Sequence, residues 1–130
     1  MFFYGLFMDA GSLRARGAEP VGIRVASVPG FALRVGHRAT LVPAAGDRAY
    51  GVVMELAHDE IERLYADPSV QAYRPEAVLA ELADGTRVPA LCYNLVVPPS
   101  PGEADPEYAA KLRDLARRLE LPADYVARIG

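Results

Sequence analysis

Hydrophobic and polar positions alternate over several short stretches of this chain, and that alternation predicts β-strands. The apolar run Phe2-Phe3-Tyr4 ends at Gly5, and residues 31–35 alternate with Arg34 on the outer face. Asp84-Gly85 is the strongest hairpin signal in the chain. Further strands are predicted over residues 23–26, 40–42, 50–56, 78–82 and 88–96.

Turn residues are predicted to keep these strands short. Pro29-Gly30 is predicted to turn the chain, and Pro43 with the following residues 44–47 is predicted to end another strand. Glycine and proline together reach 22 of 130 residues, above the usual share of about 12%. The pattern therefore indicates six or seven short strands, mostly antiparallel.

Three segments are predicted to be helices, and residues 121–129 are predicted to form a final short helical turn. Asp9 is a candidate N-cap for residues 10–16, and a second helix opens at residues 58–60 and ends at Pro68. Asp105 and Pro106 begin the third helix. Its apolar stripe, spaced four, three and four residues, comprises Tyr108, Leu112, Leu115 and Leu119. Because the strands do not alternate with long helices, we predict an α+β fold rather than a doubly wound sheet. It would be a small mixed, mostly antiparallel β-barrel, closed or nearly closed, flanked by short helices in a single domain over residues 1–130.

Composition narrows the functional classes. Hydrophobic residues make up 52% and charged residues 24% of the chain, which is an ordinary folding composition. The net charge is −3 and no basic stripe appears, so a nucleic-acid partner is not expected. The apolar residues 1–8 are too short for a signal peptide or a membrane span. The one cysteine, Cys92, cannot form an internal disulfide, which favours a reducing compartment and a cytoplasmic location.

Motifs for common chemistries are missing from the sequence. It has no P-loop, no G-x-S-x-G and no Cys/His spacing for a metal site. His37 and His58 have no partner pattern and are interpreted as surface histidines. Cys92 lies within a predicted strand and is interpreted as a small core residue.

The segment Tyr4-Gly5-Leu6-Phe7-Met8 is the most informative one. A strand leads through a tight glycine turn into a helix start that Asp9 caps. Such a turn can direct several backbone N–H groups into one small space, which attracts a carboxylate or a developing oxyanion. The alternative interpretation is a plain strand-to-helix turn.

This turn resembles the Y-G-S-N/L loop of the gamma-glutamylcyclotransferase-like superfamily. Pro29-Gly30-Phe31 with Leu33 is similar to the family's segment after its first helix, and residues 50–56 to its G-x-(V/L)-hydrophobic strand. Residues 59–73 stand where the family has L-D-x-x-E-G and a later tyrosine. Residues 105–108 and 121–125 resemble its S-P-x-Y and G-L-P-x-x-Y tail. The resemblance covers nearly the whole chain.

The resemblance implies a small mixed barrel flanked by helices and the release of 5-oxoproline from gamma-glutamyl compounds. In that reaction the glutamyl α-amine attacks its own γ-carbonyl, and an amine or amino acid leaves. A carboxylate takes a proton from the ammonium, and the protein stabilises the oxyanion. The resemblance implies no metal and no cofactor. The expected partner is a small gamma-glutamyl or other carboxylate-bearing molecule, with no nucleic acid and no membrane.

Two departures from the family pattern bear on activity. Leu6 stands where the family has Ser or Thr, so a hydroxyl donor is lost while the backbone N–H remains. The family's glutamate lies four residues after a leucine, and here Pro68 follows Leu64 at that spacing. Asp67, one position earlier, is the candidate general base. Its alternative role is a turn residue that ends the helix before proline.

Other carboxylates are poorer substitutes for the missing glutamate, namely Glu55, Glu62 and Glu76. The alternative function is therefore a catalytically degenerate family member that binds a small carboxylate or a partner without turnover.

Three further tyrosines fall where the family has cavity tyrosines: Tyr73, Tyr93 and Tyr108. Phenol groups can donate hydrogen bonds to a substrate carboxylate while their rings wall the pocket. Tyr73 also suits a packing role at a strand start, and Tyr108 a place in the helix core. Arg74 is a candidate partner for a carboxylate or an exposed strand-end arginine. The predicted substrate-binding residues are thus Tyr4, Gly5, Leu6, Phe7, Met8, Tyr73, Tyr93 and Tyr108.

Overall fold

The computed structural model describes all 130 residues and contains one five-stranded sheet with four short helices. The pairing order is β1-β3-β2-β4-β5, and every pair is antiparallel. The strands are β1 (Phe2–Phe3), β2 (Val21–Val35), β3 (Ala39–Glu55), β4 (Tyr73–Leu82) and β5 (Arg87–Leu95). The helices are α1 (Ala10–Ala15), α2 (His58–Tyr65), α3 (Pro106–Arg118) and α4 (Ala123–Ala127). The α+β class is confirmed. None of these helices combines the length and apolar character that a membrane crossing requires.

Strands β2 and β3 are much longer than predicted. The expected breaks at Pro29-Gly30 and at residues 43–47 were wrong, because both segments lie inside strands. The pairing register shifts between Pro29 and Phe31, and Gly30 adopts a φ of +84°. A β-bulge therefore absorbs the glycine, so the strand bends without ending.

The prediction that the barrel is closed or nearly closed was also wrong, because the sheet stays open. Strand β1 has two residues and pairs only with β3, and β5 pairs only with β4. Strands β3 and β5 are connected by hydrogen bonds from backbone N–H groups to side chains and not by backbone pairing. Thr40 Oγ1 accepts a hydrogen bond from the Leu95 N–H at 2.9 Å, and Asn94 Oδ1 accepts one from the Leu41 N–H at 3.2 Å. We call these two contacts the seam. Because side chains occupy the backbone donors there, no ladder forms and the curled sheet stays open.

The local signals at turns and helix starts are confirmed. Residues 84–85 lie in the turn that joins β4 to β5, where the Gly85 N–H donates to the Leu82 carbonyl at 2.9 Å. The Asp105 carboxylate accepts from the Tyr108 N–H at 3.0 Å and caps α3. The Asp9 carboxylate accepts from the Gly11 N–H at 3.0 Å and caps α1.

The core is one cluster of 26 buried residues drawn from the sheet and the helices. The predicted stripe of α3 enters it: Leu112 and Leu115 are buried, and Tyr108 and Leu119 pack against the cluster while partly exposed. Strand β1 runs through this core into the turn at Gly5, which places that turn beside a cavity.

Candidate active site

A cavity of about 320 Å³ lies beside the turn that follows β1. Its walls come from that turn, α1, the tip between β2 and β3, the segment after α2, and the strands and helix that carry its tyrosines. Most lining residues are hydrophobic, and no aspartate or glutamate is among them. Its aromatic residues are Phe2, Phe3, Tyr4, Phe7, Tyr65, Tyr73, Tyr93 and Tyr108.

The glycine turn forms part of the cavity wall. Tyr4, Gly5, Leu6 and Phe7 line the cavity. Leu6–Met8 is a 3₁₀ turn whose hydrogen bonds are donated by Met8 to Gly5 (3.0 Å) and by Asp9 to Leu6 (3.2 Å). The first two residues of such a turn have no acceptor within it, which leaves the Leu6 and Phe7 N–H groups available.

Met8 does not join the site. Its N–H is used inside the 3₁₀ turn, and its side chain is 2% exposed within the core. Sequence reasoning placed Met8 at the cavity because it treated the turn as one anion-binding unit. The turn instead folds Met8 inward.

The predicted tyrosines converge on the cavity from four parts of the chain. Tyr4, Tyr73, Tyr93 and Tyr108 all line it. The Tyr4 hydroxyl donates to the Tyr93 carbonyl and the Tyr73 hydroxyl donates to the Ala39 carbonyl. These bonds fix both rings as walls.

Tyr65 is an aromatic wall residue that sequence reasoning missed. It is the last residue of α2 and stacks on Tyr93, with ring centroids 3.8 Å apart and planes inclined by 11°. Phe7 meets the Tyr65 ring edge-on at 5.9 Å. The sequence did offer a signal for Tyr65. It is an aromatic residue directly after Leu64, at the position where the family motif L-D-x-x-E-G has aspartate.

Three cationic or cationisable side chains also line the cavity, and sequence reasoning missed their role. They are Arg16, His37 and Arg38. The Arg16 guanidinium lies 5.3 Å from the centre of the Phe7 ring. The His37 Nδ1 lies 3.3 Å from Asp105 Oδ2, and the Arg38 side chain has no hydrogen-bond or ion-pair partner in the protein. His37 is exposed, as predicted, yet belongs to the cavity rim.

The family described as "Gamma-glutamyl cyclotransferase, AIG2-like" has a sequence model that matches residues 1–111. The chain belongs to this family. A solved structure named "Gamma-glutamyl cyclotransferase" superposes with a TM-score of 0.82 at 21% identity, covering 98% of this chain and 83% of that one.

Other solved structures share the fold. An uncharacterized protein from Homo sapiens superposes with a TM-score of 0.81 at 22% identity, covering 98% of this chain and 83% of its own. YkqA from Bacillus subtilis gives 0.74 at 22% identity, covering 98% of this chain and 51% of its own. At identities this low, the likeness to these structures shows a shared gamma-glutamyl cyclotransferase-like fold and nothing finer. No curated protein sequence matches the chain significantly.

Asp67, the candidate base for cyclotransferase chemistry, lies next to the cavity and is not among its lining residues. It caps the 3₁₀ turn Pro68–Val70, and its Oδ1 accepts from the Ser69 N–H at 2.9 Å and the Ser69 hydroxyl at 2.7 Å. Its Oδ2 lies 3.7 Å from the Arg16 guanidinium. The hydrogen bonds from Ser69, aided by Arg16, lower the pKa of the Asp67 carboxyl. Asp67 is therefore ionised at neutral pH, with its side chain 43% exposed.

The other carboxylates weighed as substitutes lie outside the cavity lining. Glu55 is exposed at the end of β3, and Glu62 pairs with His58 at 3.0 Å on the surface of α2. Glu76 accepts a hydrogen bond from Asn94 at 2.9 Å. Arg74 also lies outside the lining, where its guanidinium donates to the carbonyls of residues 71 and 73.

Burial makes the cavity tyrosines hydrogen-bond donors and not bases. Removal from water raises the pKa of Tyr4, Tyr65, Tyr73 and Tyr108 above the ordinary value of 10.0. Each phenol therefore keeps its proton at neutral pH. Cys92 is fully buried, and burial raises the pKa of its thiol to about 12, so the thiol stays neutral in the core.

Proposed function

We propose that this member of the gamma-glutamyl cyclotransferase family binds a small carboxylate-bearing molecule in the tyrosine cavity. The observation that carries this proposal is the charge of the lining, which includes Arg16, His37 and Arg38 but no aspartate or glutamate. Guanidinium groups form strong charge-assisted hydrogen bonds with carboxylates. The neutral phenol of Tyr65 and the available N–H groups of Leu6 and Phe7 add further donors.

Binding without turnover is the function that this geometry supports best. Cyclotransfer needs a base that removes a proton from the substrate ammonium so that the amine can attack. No carboxylate lines the cavity, and the buried tyrosines hold their protons. The cavity thus offers strong recognition of an anion and no carboxylate within its lining that would accept the proton.

Gamma-glutamyl cyclotransfer is the second candidate, and the position of Asp67 favours it. Asp67 is ionised, and its partners Ser69 and Arg16 both line the cavity. In this scheme the substrate α-amine attacks its own γ-carbonyl, and Asp67 takes the ammonium proton. The N–H groups of Leu6 and Phe7 stabilise the oxyanion. The amine or amino acid then leaves with a proton, and 5-oxoproline is released. Asp67 must come within about 2.6–3.2 Å of the amine, or act through one water.

A release assay combined with a binding assay distinguishes the two functions. The release assay follows 5-oxoproline from gamma-glutamyl amines, gamma-glutamyl amino acids and glutathione. Calorimetry follows the binding of glutarate and 5-oxoproline. Both are applied to wild type, to Asp67→Asn and to the control Asp114→Asn, an exposed residue of α3 that pairs with Arg117 at 3.1 Å.

Binding without release in all three proteins is the expected result. If wild type releases 5-oxoproline and Asp67→Asn is slower by roughly 10²–10⁴-fold while Asp114→Asn is not, the second candidate is correct. Absence of both binding and release would refute both functions. Release that is undiminished in Asp67→Asn would remove Asp67 from the mechanism.

A further inference from the structure

We infer that His37, held in one tautomer by Asp105, is the hydrogen-bond acceptor with which the cavity recognises an N–H group of its ligand. This inference rests on the proposed carboxylate binding and narrows the ligand to molecules that carry both a carboxylate and an ammonium. The other cationic side chains of the lining, Arg16 and Arg38, can only donate hydrogen bonds. An acceptor beside them therefore distinguishes such a ligand from a simple anion.

The tip between β2 and β3 holds His37 against the segment that precedes α3. The His37 N–H donates to Glu103 Oε2 at 2.8 Å, and the Gly36 N–H donates to the Arg38 carbonyl at 3.0 Å. A Cβ at Gly36 would collide with the Glu103 carboxylate and lie 2.8 Å from the Pro99 Cβ, so this close packing requires glycine. His37 therefore keeps its place at the cavity rim, although 68% of its side chain is exposed.

Asp105 decides which ring nitrogen of His37 carries the proton. Its Oδ1 accepts from the Tyr108 N–H at 3.0 Å, and its Oδ2 lies 3.3 Å from His37 Nδ1. The Tyr108 N–H and His37 lower the pKa of the Asp105 carboxyl, so at neutral pH it is ionised and can only accept. His37 Nδ1 must then be the donor. In the neutral ring this leaves the lone pair on Nε2, which has no hydrogen-bond partner in the protein.

A ligand with a carboxylate and an ammonium would satisfy two neighbouring residues of the tip. Arg38 lines the cavity and has no partner within the protein, so it is free to take the carboxylate. The Nε2 of His37 then accepts from the ammonium. An α-ammonium holds its proton more tightly than an imidazolium does, with ordinary pKa values of about 7.7–8.0 against about 6.5. The proton therefore stays on the ligand, and the contact recognises the ammonium without deprotonating it.

The tautomers of the two histidines provide a test that needs no ligand. The second histidine, His58, has its Nε2 3.0 Å from Glu62 Oε1, so its proton is expected mainly on Nε2, the opposite of His37. Nitrogen-15 NMR of the imidazole rings at pH 8.5, about two units above the ordinary pKa of imidazole, distinguishes the two forms. We expect the Nδ1–H form for His37. Finding His37 in the Nε2–H form would overturn the inference.

Calorimetry at pH 8 with matched ligands tests the recognition itself. L-Glutamate and glutarate differ only by the α-ammonium, and L-glutamate should bind wild type roughly tenfold more tightly, the effect of one hydrogen bond with a charged partner. His37→Phe keeps a ring and removes both nitrogens, so this preference should disappear while glutarate binding is unchanged. His37→Gln supplies an acceptor again and should recover part of the preference. The control His58→Phe, outside the lining, should change neither affinity.

Asp105→Asn separates the positioning of His37 from the capping of α3. The asparagine oxygen still accepts from the Tyr108 N–H, while its NH₂ group donates to His37 Nδ1 and so moves the ring proton to Nε2. The variant should keep its fold, show the Nε2–H form of His37 and lose the preference for L-glutamate. A folded Asp105→Asn protein with the wild-type tautomer and the wild-type preference would contradict the positioning role.

The outcomes distinguish this inference from the proposed function. If glutarate binds and L-glutamate binds no more tightly, or if His37→Phe leaves the preference intact, the acceptor role is refuted and carboxylate binding stands. If neither ligand binds, carboxylate binding is refuted and the acceptor role with it.

Discussion

The seam between β3 and β5 gives a sharp test of how this open sheet is held in its curled shape. Thr40 is fully buried, and its Oγ1 accepts a hydrogen bond from the Leu95 N–H at 2.9 Å. Thr40→Val replaces the hydroxyl with a methyl group of similar size. The change leaves the Leu95 N–H buried without a partner. The residue before Thr40, Ala39, lies in the cavity wall.

The magnitude follows from the cost of a buried unpaired donor. Leaving such a group unsatisfied costs about 1–3 kcal/mol, and the added methyl returns at most about 0.8 kcal/mol of hydrophobic burial. We therefore expect Thr40→Val to lower the free energy of unfolding by about 1.2 kcal/mol, the middle of a range of about 0.2–2.2 kcal/mol. For a chain of this length each kcal/mol shifts Tm by roughly 3–5 °C.

Urea unfolding monitored by circular dichroism measures the effect, with Thr40→Ser as the matched control. Serine keeps the acceptor for Leu95 and loses one methyl, which costs about 0.8 kcal/mol. The seam argument requires Thr40→Val to be less stable than Thr40→Ser. If valine is as stable as serine, or more stable than wild type, the side-chain contacts are not what joins β3 to β5.

Two further predictions concern packing and pH. Gly51 lies in β3 where a Cβ would collide with the Phe3 carbonyl oxygen of β1, so Gly51→Ala should destabilise the protein by about 1–3 kcal/mol. Gly102→Ala, where a Cβ meets nothing within 4 Å, should leave the urea midpoint unchanged or raised, and equal midpoints for the two variants would contradict the packing. The hydrogen bond from the Tyr108 N–H, aided by His37, lowers the pKa of Asp105 below its ordinary value of 3.8. Asp105 therefore stabilises the fold above that value and stops doing so as the pH falls through its lowered folded pKa. Urea unfolding between pH 6 and 2 should show a smaller loss in Asp105→Asn than in wild type, and parallel curves would refute the linkage.

Features set by a few neighbouring residues were predictable from the sequence. The Asp105-Pro106 start of α3 depends on a side chain and a backbone N–H three residues apart, and the Asp84-Gly85 turn on local backbone geometry. Whether Pro29-Gly30 ends a strand depends on the partner strand. Strand β3 continues pairing on both sides of Gly30, so the chain forms a bulge where a turn was expected. The open edge between β3 and β5 likewise depends on Thr40 and Asn94, each of which meets a backbone N–H more than 50 residues away in sequence.

The residues of the candidate site also divide into those that were predictable from the sequence and those that were not. The resemblance to the family located Tyr73, Tyr93 and Tyr108, which the structure places at the cavity, and their role in ligand binding stays a prediction. Arg16 and Arg38 carry no local pattern that sets them apart from the other arginines of the chain. The end of α1 and the tip between β2 and β3 bring them to one rim. That meeting is a property of the tertiary fold.

Pro68, which stands at the spacing of the family's glutamate, explains why the nearby carboxylate of Asp67 serves as a helix cap. A proline is favourable at the first position of a helical turn, and the residue before it is then suited to cap that turn. Asp67 takes that position and its Oδ1 accepts both hydrogen bonds from Ser69. Its Oδ2 takes no part in the cap and lies 3.7 Å from the Arg16 guanidinium, and the Ser69 hydrogen bonds together with Arg16 lower the pKa of the carboxyl and so oppose its protonation. Arg38 has no other partner in the protein, so under the proposed binding function it is free to pair with an anion. The same substitution that displaces a carboxylate from the family's position therefore leaves a cavity whose charge favours holding a carboxylate over deprotonating an amine.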